Sequence, residues 1–482
     1  MDHIISIDNQ NLILNHLSMQ IFEGEIYGIL CLEHHGIAQM VELICCNKPI
    51  QYGQVFFKEK LVNSKEGNGP RRNQVALIGR ESSLINDLTL ADNLFVIRSG
   101  FKKFVVPKRI LQEQTLRILS TLNIQIEPSI LVKELKIFER LIVEIMQAMV
   151  KGSRLIILFN ISDMLNSEEL SRFHHLIHKL TQEGYTFLYI YNHHEVLETI
   201  CDRIAVFKDG HIEKVIESSV EEIAKAIRIF ARDPYEKIAT FGPRKENDVK
   251  KIKPIVELEK VELENIRDLS FSIHSGETVL LLDHSNRILD ELMELLGQIR
   301  KPLSGKLKVF NEDCGRKGRI GLIQRNPTRS MLFWEMSFWD NLCFSLMHKV
   351  PFFWQKRHLQ ENVISEFRKD LGKLLDEPDL YNLSTKDLYT LIYYRYLISK
   401  PSLVVCLQPL SGEDMYLRTH ILQLMGKLRN CGIAVLVLNT ELYDTLYLVD
   451  RLIQVKQGRV ISEHARSDFD EVKMTNGIFS ID

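Results

Sequence analysis

The sequence lacks several features that would define its class directly. No apolar run reaches the roughly 18 to 20 residues that a membrane-crossing helix needs. The N-terminus MDHIISIDNQ has an early acid and no long apolar core, so we expect no signal peptide. A net charge of −2 gives no electrostatic reason to expect nucleic acid or an acidic membrane surface. The eight cysteines contain no C-x-x-C pair and indicate reduced thiols of a cytosolic protein.

The length of the chain exceeds what one ordinary hydrophobic core organises. Its 482 residues suit two domains of about 200 residues or more each. Apolar residues make up 45% and charged residues 26%, which is typical of a globular protein that folds in water. We therefore expect two folded domains.

An internal repeat relates the two parts of the chain. FEGEIYGILCL matches HSGETVLLLDH and places Gly24 on Gly276, an offset of 252 residues. CDRIAVFKDG matches VDRLIQVKQG and places Asp202 on Asp450, an offset of 248 that ADNLF and WDNLC share. One small length change followed by a constant offset indicates a duplicated domain.

The repeat predicts domains at 1–225 and 252–482, joined by a linker at 226–251 in a region rich in proline and charge. In each half, continuous apolar strands such as RLIILF and SLVVCL alternate with helical segments, which indicates a buried parallel sheet of the α/β class. A nucleotide is expected at the carboxyl end of the first long strand of such a sheet.

The stretch GEIYGILCLEHHGIAQM has the strand, loop and helix of a phosphate-binding loop without its chemistry. Such a loop needs glycines, a lysine for the phosphates and a Ser or Thr hydroxyl for the metal ion. Gly36 is the one glycine kept, Ile37 stands at the lysine position and Ala38 at the hydroxyl position.

The order of these segments resembles the ATP-binding cassette ATPases. The tandem arrangement resembles the fused double-cassette subunit of ribose- and galactose-type sugar importers, over nearly the whole chain. The resemblance implies two P-loop NTPase-like sheets, each with an antiparallel β edge and a helical subdomain, facing each other as an intramolecular pseudo-dimer. It also implies ATP as cofactor and a membrane permease as partner.

The catalytic positions implied by the resemblance are mostly replaced. In the second loop, Asp283 enters the loop, and two carboxylates beside a triphosphate would repel it. Amides replace the expected acids and cannot accept a proton at neutral pH. The degenerate equivalents of lysine, hydroxyl, magnesium ligand and general base are Ile37, Ala38, Phe159 and Asn160 in the first half, and Leu289, Asp290, Leu407 and Gln408 in the second.

The signature loops, which in this family face phosphate from the opposite cassette, are altered as well. LKIFER carries Lys136 and Phe138 for the family's serine and glycine, and LSTKDL keeps Ser384 but has Lys386 for a glycine. The candidate residual phosphate contacts are therefore Gly36, Lys136, Ser384 and Lys386. The alternative, lysines solvated at a helix start, is the more common situation for such residues.

The switch and metal-sensing positions remain open. Gapless alignment places Asn192 at the switch histidine, and a slip of one residue would place His193 there. Arg80 matches the metal-sensing glutamine of the first half, and Gln324 lies close to that place in the second.

Two further features are weighed against simpler explanations. The pair His34-His35 has no partner at a ligand spacing, so we expect no metal site. The aromatic run around Trp334, Trp339 and Trp354 is expected mainly in the core of a helical subdomain, with part of it exposed as a partner groove.

Together these observations predict a degenerate tandem cassette without ATP hydrolysis, binding no cofactor. It would act as a regulatory or scaffolding partner of a membrane permease, a sugar-sensing system or an active ATPase subunit, in the cytoplasm or at the inner face of the membrane. The alternative is an ATP-binding subunit of a sugar importer that still binds or slowly hydrolyses ATP. A third possibility, an unrelated α/β enzyme, has no supporting constellation of residues.

Overall fold

The computed structural model describes residues 1–8, 11–46, 50–63, 73–95, 107–217, 220–230, 254–310, 319–344, 366–440, 442 and 444–469. The chain divides into two compact units. The N-terminal unit comprises Met1–Arg232 with Gly412–Met415, and the C-terminal unit comprises Asp233–Ser411 with Tyr416–Asp482. None of the helices within the described ranges combines the length and apolar character that a bilayer crossing requires.

The N-terminal unit is a mixed α/β structure. Its strands are β1 Asp2–Asp8, β2 Asn11–Leu17, β3 Ile26–Cys31, β4 Tyr52–Gln54, β5 Phe56–Phe57, β6 Lys60–Leu61, β7 Val75–Ile78, β8 Leu155–Phe159, β9 Thr186–Tyr191, β10 Arg203–Lys208 and β11 His211–Glu217. Its helices are α1 Ile37–Cys45, α2 Leu90–Phe95, α3 Lys108–Leu122, α4 Ile137–Val150, α5 Ser167–Gln182, α6 His194–Ile200 and α7 Val220–Phe230. Helix α7 runs into the predicted linker 226–251, whose remaining residues lie outside the described ranges.

The C-terminal unit repeats this plan. Its strands are β12 Pro254–Glu262, β13 Leu269–His274, β14 Thr278–Asp283, β15 Ser304–Val309, β16 Ile320–Ile323, β17 Leu403–Leu407, β18 Ala434–Asn439, β19 Arg451–Lys456 and β20 Arg459–Ala465. Its helices are α8 Leu289–Leu296, α9 Pro327–Ser330, α10 Phe338–Cys343, α11 Thr385–Ser399 and α12 Met415–Asn430, whose first residue, Met415, is counted with the N-terminal unit.

The two units share one sheet topology. The order is β11-β10-β3-β9-β8-β7 in the first and β20-β19-β14-β18-β17-β16 in the second, and only the pairs β10–β11 and β19–β20 are antiparallel. A separate antiparallel sheet accompanies each, ordered β2-β1-β4 and β13-β12-β15. Every residue of β3 and of β14 is buried. One face of each six-stranded sheet packs against the separate antiparallel sheet and the helix that follows the loop, α1 or α8. The predicted α/β fold and its duplication are confirmed.

A duplicated ion pair anchors the first long strand of each sheet. Arg203 binds both carboxylate oxygens of Glu25, at 3.1 and 3.0 Å, and Arg451 binds those of Glu277, at 2.8 and 3.3 Å. Each arginine begins the neighbouring parallel strand, β10 or β19, so the pair ties two adjacent strands together. The duplication therefore extends from topology to individual buried contacts.

Candidate functional site

The loop between β3 and α1 occupies the place expected for a phosphate site. Gly36 precedes the helix with φ of 84°, and a Cβ atom on it would lie 2.7 Å from the carbonyl oxygen of Ile13. Both the left-handed backbone and the close approach of β2 therefore require glycine at this position. Packing within the unit is sufficient to explain Gly36 without a phosphate ligand.

The lysine position of the first loop faces the core. The Ile37 side chain is 1% exposed and belongs to the hydrophobic cluster between the sheet and α1, whereas Ala38 is exposed and has no hydroxyl. A side chain that points into the core cannot contact a ligand at the surface of the loop. These residues do not fit the phosphate and metal groups of a nucleotide.

An acidic pair adds to this mismatch. Glu33 lies in the first loop and Asp209 in the turn between β10 and β11. Burial, followed by the charge of Asp209 and a hydrogen bond to it, raises the pKa of Glu33 to about 7. A loop flanked by two carboxyl groups disfavours an anionic ligand.

The second loop, between β14 and α8, is organised around one buried carboxylate. The Asp283 side chain accepts the backbone N–H of Ser285 at 2.9 Å, of Arg287 at 2.6 Å and of Ile288 at 2.9 Å. Asp283 is completely buried. In phosphate-binding loops, the backbone N–H groups between strand and helix bind the phosphate. Here three of them are already occupied by the side chain of the same loop.

The start of α8 repeats the pattern of the first half. Leu289, at the lysine position, is 1% exposed and lies in the core of the C-terminal unit. Asp290, at the hydroxyl position, is exposed and lies 3.7 Å from the guanidinium of Arg325. The residues of the second loop likewise do not fit a triphosphate.

Arg325 connects the replaced catalytic positions of the second half. Its Nε donates to Gln408 Oε1, and Gln408 Nε2 donates to the hydroxyl of Thr440 at 3.1 Å. Gln408 adopts φ of 43° directly after β17, and Leu407 is buried at the end of that strand. A guanidinium thus lies between the positions matched to the metal-binding hydroxyl and to the general base.

The first half holds a related arrangement. Arg80 donates to Asp163 at 2.6 Å, and the Tyr191 hydroxyl donates to the other oxygen of the same carboxylate. Asn160 is buried with φ of 50° and donates its backbone N–H to Ile190, while Phe159 packs partly against the core. Neither residue supplies a carboxylate for a metal ion or a water molecule.

The altered signature residues lie at helix starts. Lys136 precedes α4 with an exposed side chain, and Glu139 accepts its backbone N–H at 2.8 Å. Ser384 caps α11 by accepting the backbone N–H of Asp387 at 3.3 Å, and Lys386 is exposed. Their role as phosphate contacts stays a prediction.

Phe138 and the switch residues lie inside the N-terminal unit. Phe138 is buried beneath Arg172, whose guanidinium carbon lies 4.8 Å from the ring centre. Asn192 and His193 follow β9 and are both buried, and His193 precedes α6. Which of these two corresponds to the switch histidine stays open.

Histidine and tryptophan residues take ordinary places. His35 bonds through Nε2 to the Leu12 carbonyl oxygen at 3.0 Å, and no cluster of three or more metal-ligating side chains occurs within the described ranges. Trp334 and Trp339 pack partly against the core, and Trp354 lies outside the described residues. Beside Trp334, the ring of Tyr381 lies at 4.9 Å between centroids and is 70% exposed.

Sequence reasoning missed the role of Arg325. Arg80 and Arg325 each stand two residues after equivalent strands, β7 and β16, so Arg325 rather than Gln324 is the counterpart of Arg80. The shared pattern LI-x-R in both halves was the available signal. The internal bonding of Asp283 had no sequence signal beyond the presence of an acid.

Comparison with known proteins finds relatives that match nearly the whole chain. No protein-family model matches the chain. The ribose import ATP-binding protein RbsA of Clostridium tetani is 21% identical over 481 residues, covering 96% of this chain and 93% of that protein. The same protein of Bacillus licheniformis is 22% identical over 487 residues, covering 97% and 96%.

Two solved structures extend the comparison to the fold. The RNase-L inhibitor has a TM-score of 0.59 and 15% identity, covering 98% of this chain and 93% of that one. The archaeal ribosome recycling factor aABCE1, in complex with the stalk protein aP1, has a TM-score of 0.60 and 14% identity, covering 98% and 92%. At such identities the likeness concerns the fold alone.

Proposed function

We propose that this chain, a tandem ATP-binding-cassette protein homologous to the ribose import ATP-binding proteins, works as the cassette subunit of a sugar-type import system. The observation that carries the proposal is the extent of the homology, which spans 96% or more of this chain in both relatives described. A match of that extent includes both cassettes and the order of their elements. It favours a role inside an import system over an unrelated use of the fold.

The proposed partner is a membrane permease, which would hold the chain at the inner face of the membrane. An exposed apolar surface in the C-terminal unit supports a protein partner. It comprises Phe333, Met336, Phe344 and Tyr381, all more than a third exposed. Aromatic and methionine side chains are enriched where proteins bind one another. The head-to-tail pairing of the two cassettes stays a prediction.

Two forms of this function differ in ATP turnover. The homologues favour a subunit that binds ATP, as their names state. The residues of both loops favour a second form, a regulatory or scaffolding subunit that does not hydrolyse ATP. Ile37 and Leu289 are buried at the lysine positions, and amides stand where the general base is expected. We therefore propose the importer role and treat hydrolysis as the point that experiment decides.

The deciding experiment combines capture and turnover. The chain is co-expressed with a sugar-importer permease, purified in detergent, and assayed for retention of the permease and for release of phosphate from ATP. Retention without turnover supports the regulatory form, and retention with turnover supports the ATP-binding form. Absence of the permease from the purified sample contradicts the partner proposal in both forms.

A pair of variants tests the surface directly. Tyr381→Ala removes a ring that is 70% exposed in the proposed surface, and we expect it to reduce permease retention severalfold. Phe310→Ala removes another exposed aromatic side chain of the same unit and serves as the control. Equal loss of retention in both variants would contradict the assignment of the surface.

A further inference from the structure

In the second loop, a side chain of the loop itself accepts hydrogen bonds from the loop's backbone N–H groups. An N–H group that is buried without a partner costs free energy, so loops that bind phosphate leave their N–H groups open to solvent until the ligand arrives. In this loop the carboxylate of Asp283 accepts three of them, those of Ser285, Arg287 and Ile288, at 2.6 to 2.9 Å. Hydrogen bonds to an ionised acceptor are the strong ones.

We propose that Asp283 is a built-in anion that takes the place of a phosphate group in the second loop, so that the C-terminal cassette keeps its ligand-bound loop conformation without nucleotide. The bonds to Arg287 and Ile288 both end on Oδ2, immediately before α8. That position is the N-terminal end of an eight-residue helix, where the backbone dipoles favour a negative charge. The carboxylate is therefore stabilised by the same kind of interaction that stabilises a phosphate at a helix N-terminus.

An incoming phosphate would have to displace this carboxylate. Asp283 is the last residue of β14, at the start of the loop, so its displaced charge would stay close to the incoming anion and repel it. No cation at the lysine position offsets that repulsion, because Leu289 is apolar and buried. The loop thus excludes nucleotide by charge and by occupied hydrogen bonds.

A side chain of the same unit, Arg325, also supplies a positive charge next to the second loop. Arg325 donates to Gln408 and lies 3.7 Å from Asp290, the positions matched to the general base and to the metal-binding hydroxyl. An internal carboxylate and an internal guanidinium therefore supply, within one unit, both signs of charge that a nucleotide with its metal ion would bring.

The N-terminal unit has no carboxylate at the corresponding position of its own loop, although Asp414 accepts one N–H of that loop, from His34, at 3.3 Å. The last residue of β3 is Cys31, which corresponds to Asp283 at the end of β14. Cys31 is a neutral thiol whose Sγ donates to the Glu33 carbonyl oxygen, not a carboxylate that accepts from the loop. The two cassettes therefore differ at this position. Cysteine, the residue that the first cassette has there, is a suitable replacement for Asp283 in a test.

The test is amide hydrogen exchange on the full chain, read by mass spectrometry on peptides that span 284–290. In the nucleotide-free wild type we expect slow exchange of the three N–H groups, with no further slowing when Mg–ATP is added. Asp283→Cys should speed their exchange about tenfold or more, because the charge-assisted acceptor is lost. Asp268→Asn, which alters an exposed aspartate of the same unit, should leave that exchange unchanged.

Slowing of exchange in the wild type on addition of Mg–ATP would overturn the proposal, as would unchanged exchange in Asp283→Cys. If that variant fails to fold, the wild-type comparison with and without Mg–ATP still decides. The inference goes beyond the importer role, and its outcome is independent of whether a permease is retained. Failure of the capture experiment and failure of this one are therefore distinguishable.

Discussion

Restoring the missing lysine of the first loop should unfold that region rather than repair it. In the substitution Ile37→Lys, an ammonium group replaces an apolar side chain that is 1% exposed and packs in the core between α1 and the sheet. A phosphate-binding lysine must instead reach the ligand side of the loop. The variant therefore measures whether the loop is an intact phosphate site lacking one residue or a differently packed structure.

The expected loss is large compared with ordinary protein stability. Removing the buried isoleucine side chain costs about 2 kcal/mol of transfer free energy. Holding a buried lysine neutral near pH 7 costs about 4 kcal/mol, if burial lowers its pKa by several units. The sum, about 6 kcal/mol, is of the order of the whole free energy of unfolding of many domains. It corresponds to a fall in Tm of more than about 10 °C.

Differential scanning fluorimetry and calorimetry with Mg–ATP provide the measurement. Leu289→Lys, at the equivalent buried position of the second half, should behave similarly, whereas Ala38→Ser at an exposed position should change stability by less than about 1 kcal/mol. The reasoning is refuted if Ile37→Lys keeps a near-wild-type Tm and gains ATP binding. In that case position 37 reaches the ligand side of the loop.

Two further variants test the frame of the units. Glu277→Gln should cost about 2 kcal/mol in urea unfolding, because it removes the buried one of the two carboxylates that bind the largely buried Arg451 guanidinium and leaves only the more exposed Glu463, and a loss below about 1 kcal/mol would contradict the assignment. Burial lowers the pKa of His174 to about 4, so the folded state binds fewer protons than the unfolded state between about pH 4 and 6.5, and stability falls as pH drops through that range. His174→Gln should remove about 2 kcal/mol of that loss at pH 5, whereas the exposed His175→Gln should leave the pH profile as it is.

The fold was predictable because its signals were long and repeated. The buried strands β3 and β14 appear as continuous apolar runs, and the offset between Gly24 and Gly276 predicts their equivalence. The ion pairs Glu25–Arg203 and Glu277–Arg451 join residues far apart in sequence, so neither pairing follows from local patterns. The repeat shows that the four residues are equivalent in the two halves, but their pairing is visible only in three dimensions.

The loss of the catalytic residues could be predicted from the sequence, but the contacts that replace them could not. The sequence alone shows that the two lysine positions are occupied by Ile37 and Leu289. Whether those positions are buried depends on how α1 and α8 rotate against their sheets, which a loop sequence does not determine. The contacts of Asp283 depend on backbone geometry over five residues, and such hydrogen bonds have no sequence period.

The replaced sites are filled with polar groups that satisfy one another. A loop that had merely lost its ligand would retain open N–H groups and unpaired charges, which are costly when buried. Instead Asp283 satisfies its own loop, Arg80 binds Asp163, and Arg325 binds Gln408. A ligand changes a conformational equilibrium only through a difference in affinity between the two states. If nucleotide has no such difference at the second loop, a conformational change in the C-terminal cassette has to be driven by another contact, for which the proposed permease at the surface that includes Tyr381 is our candidate.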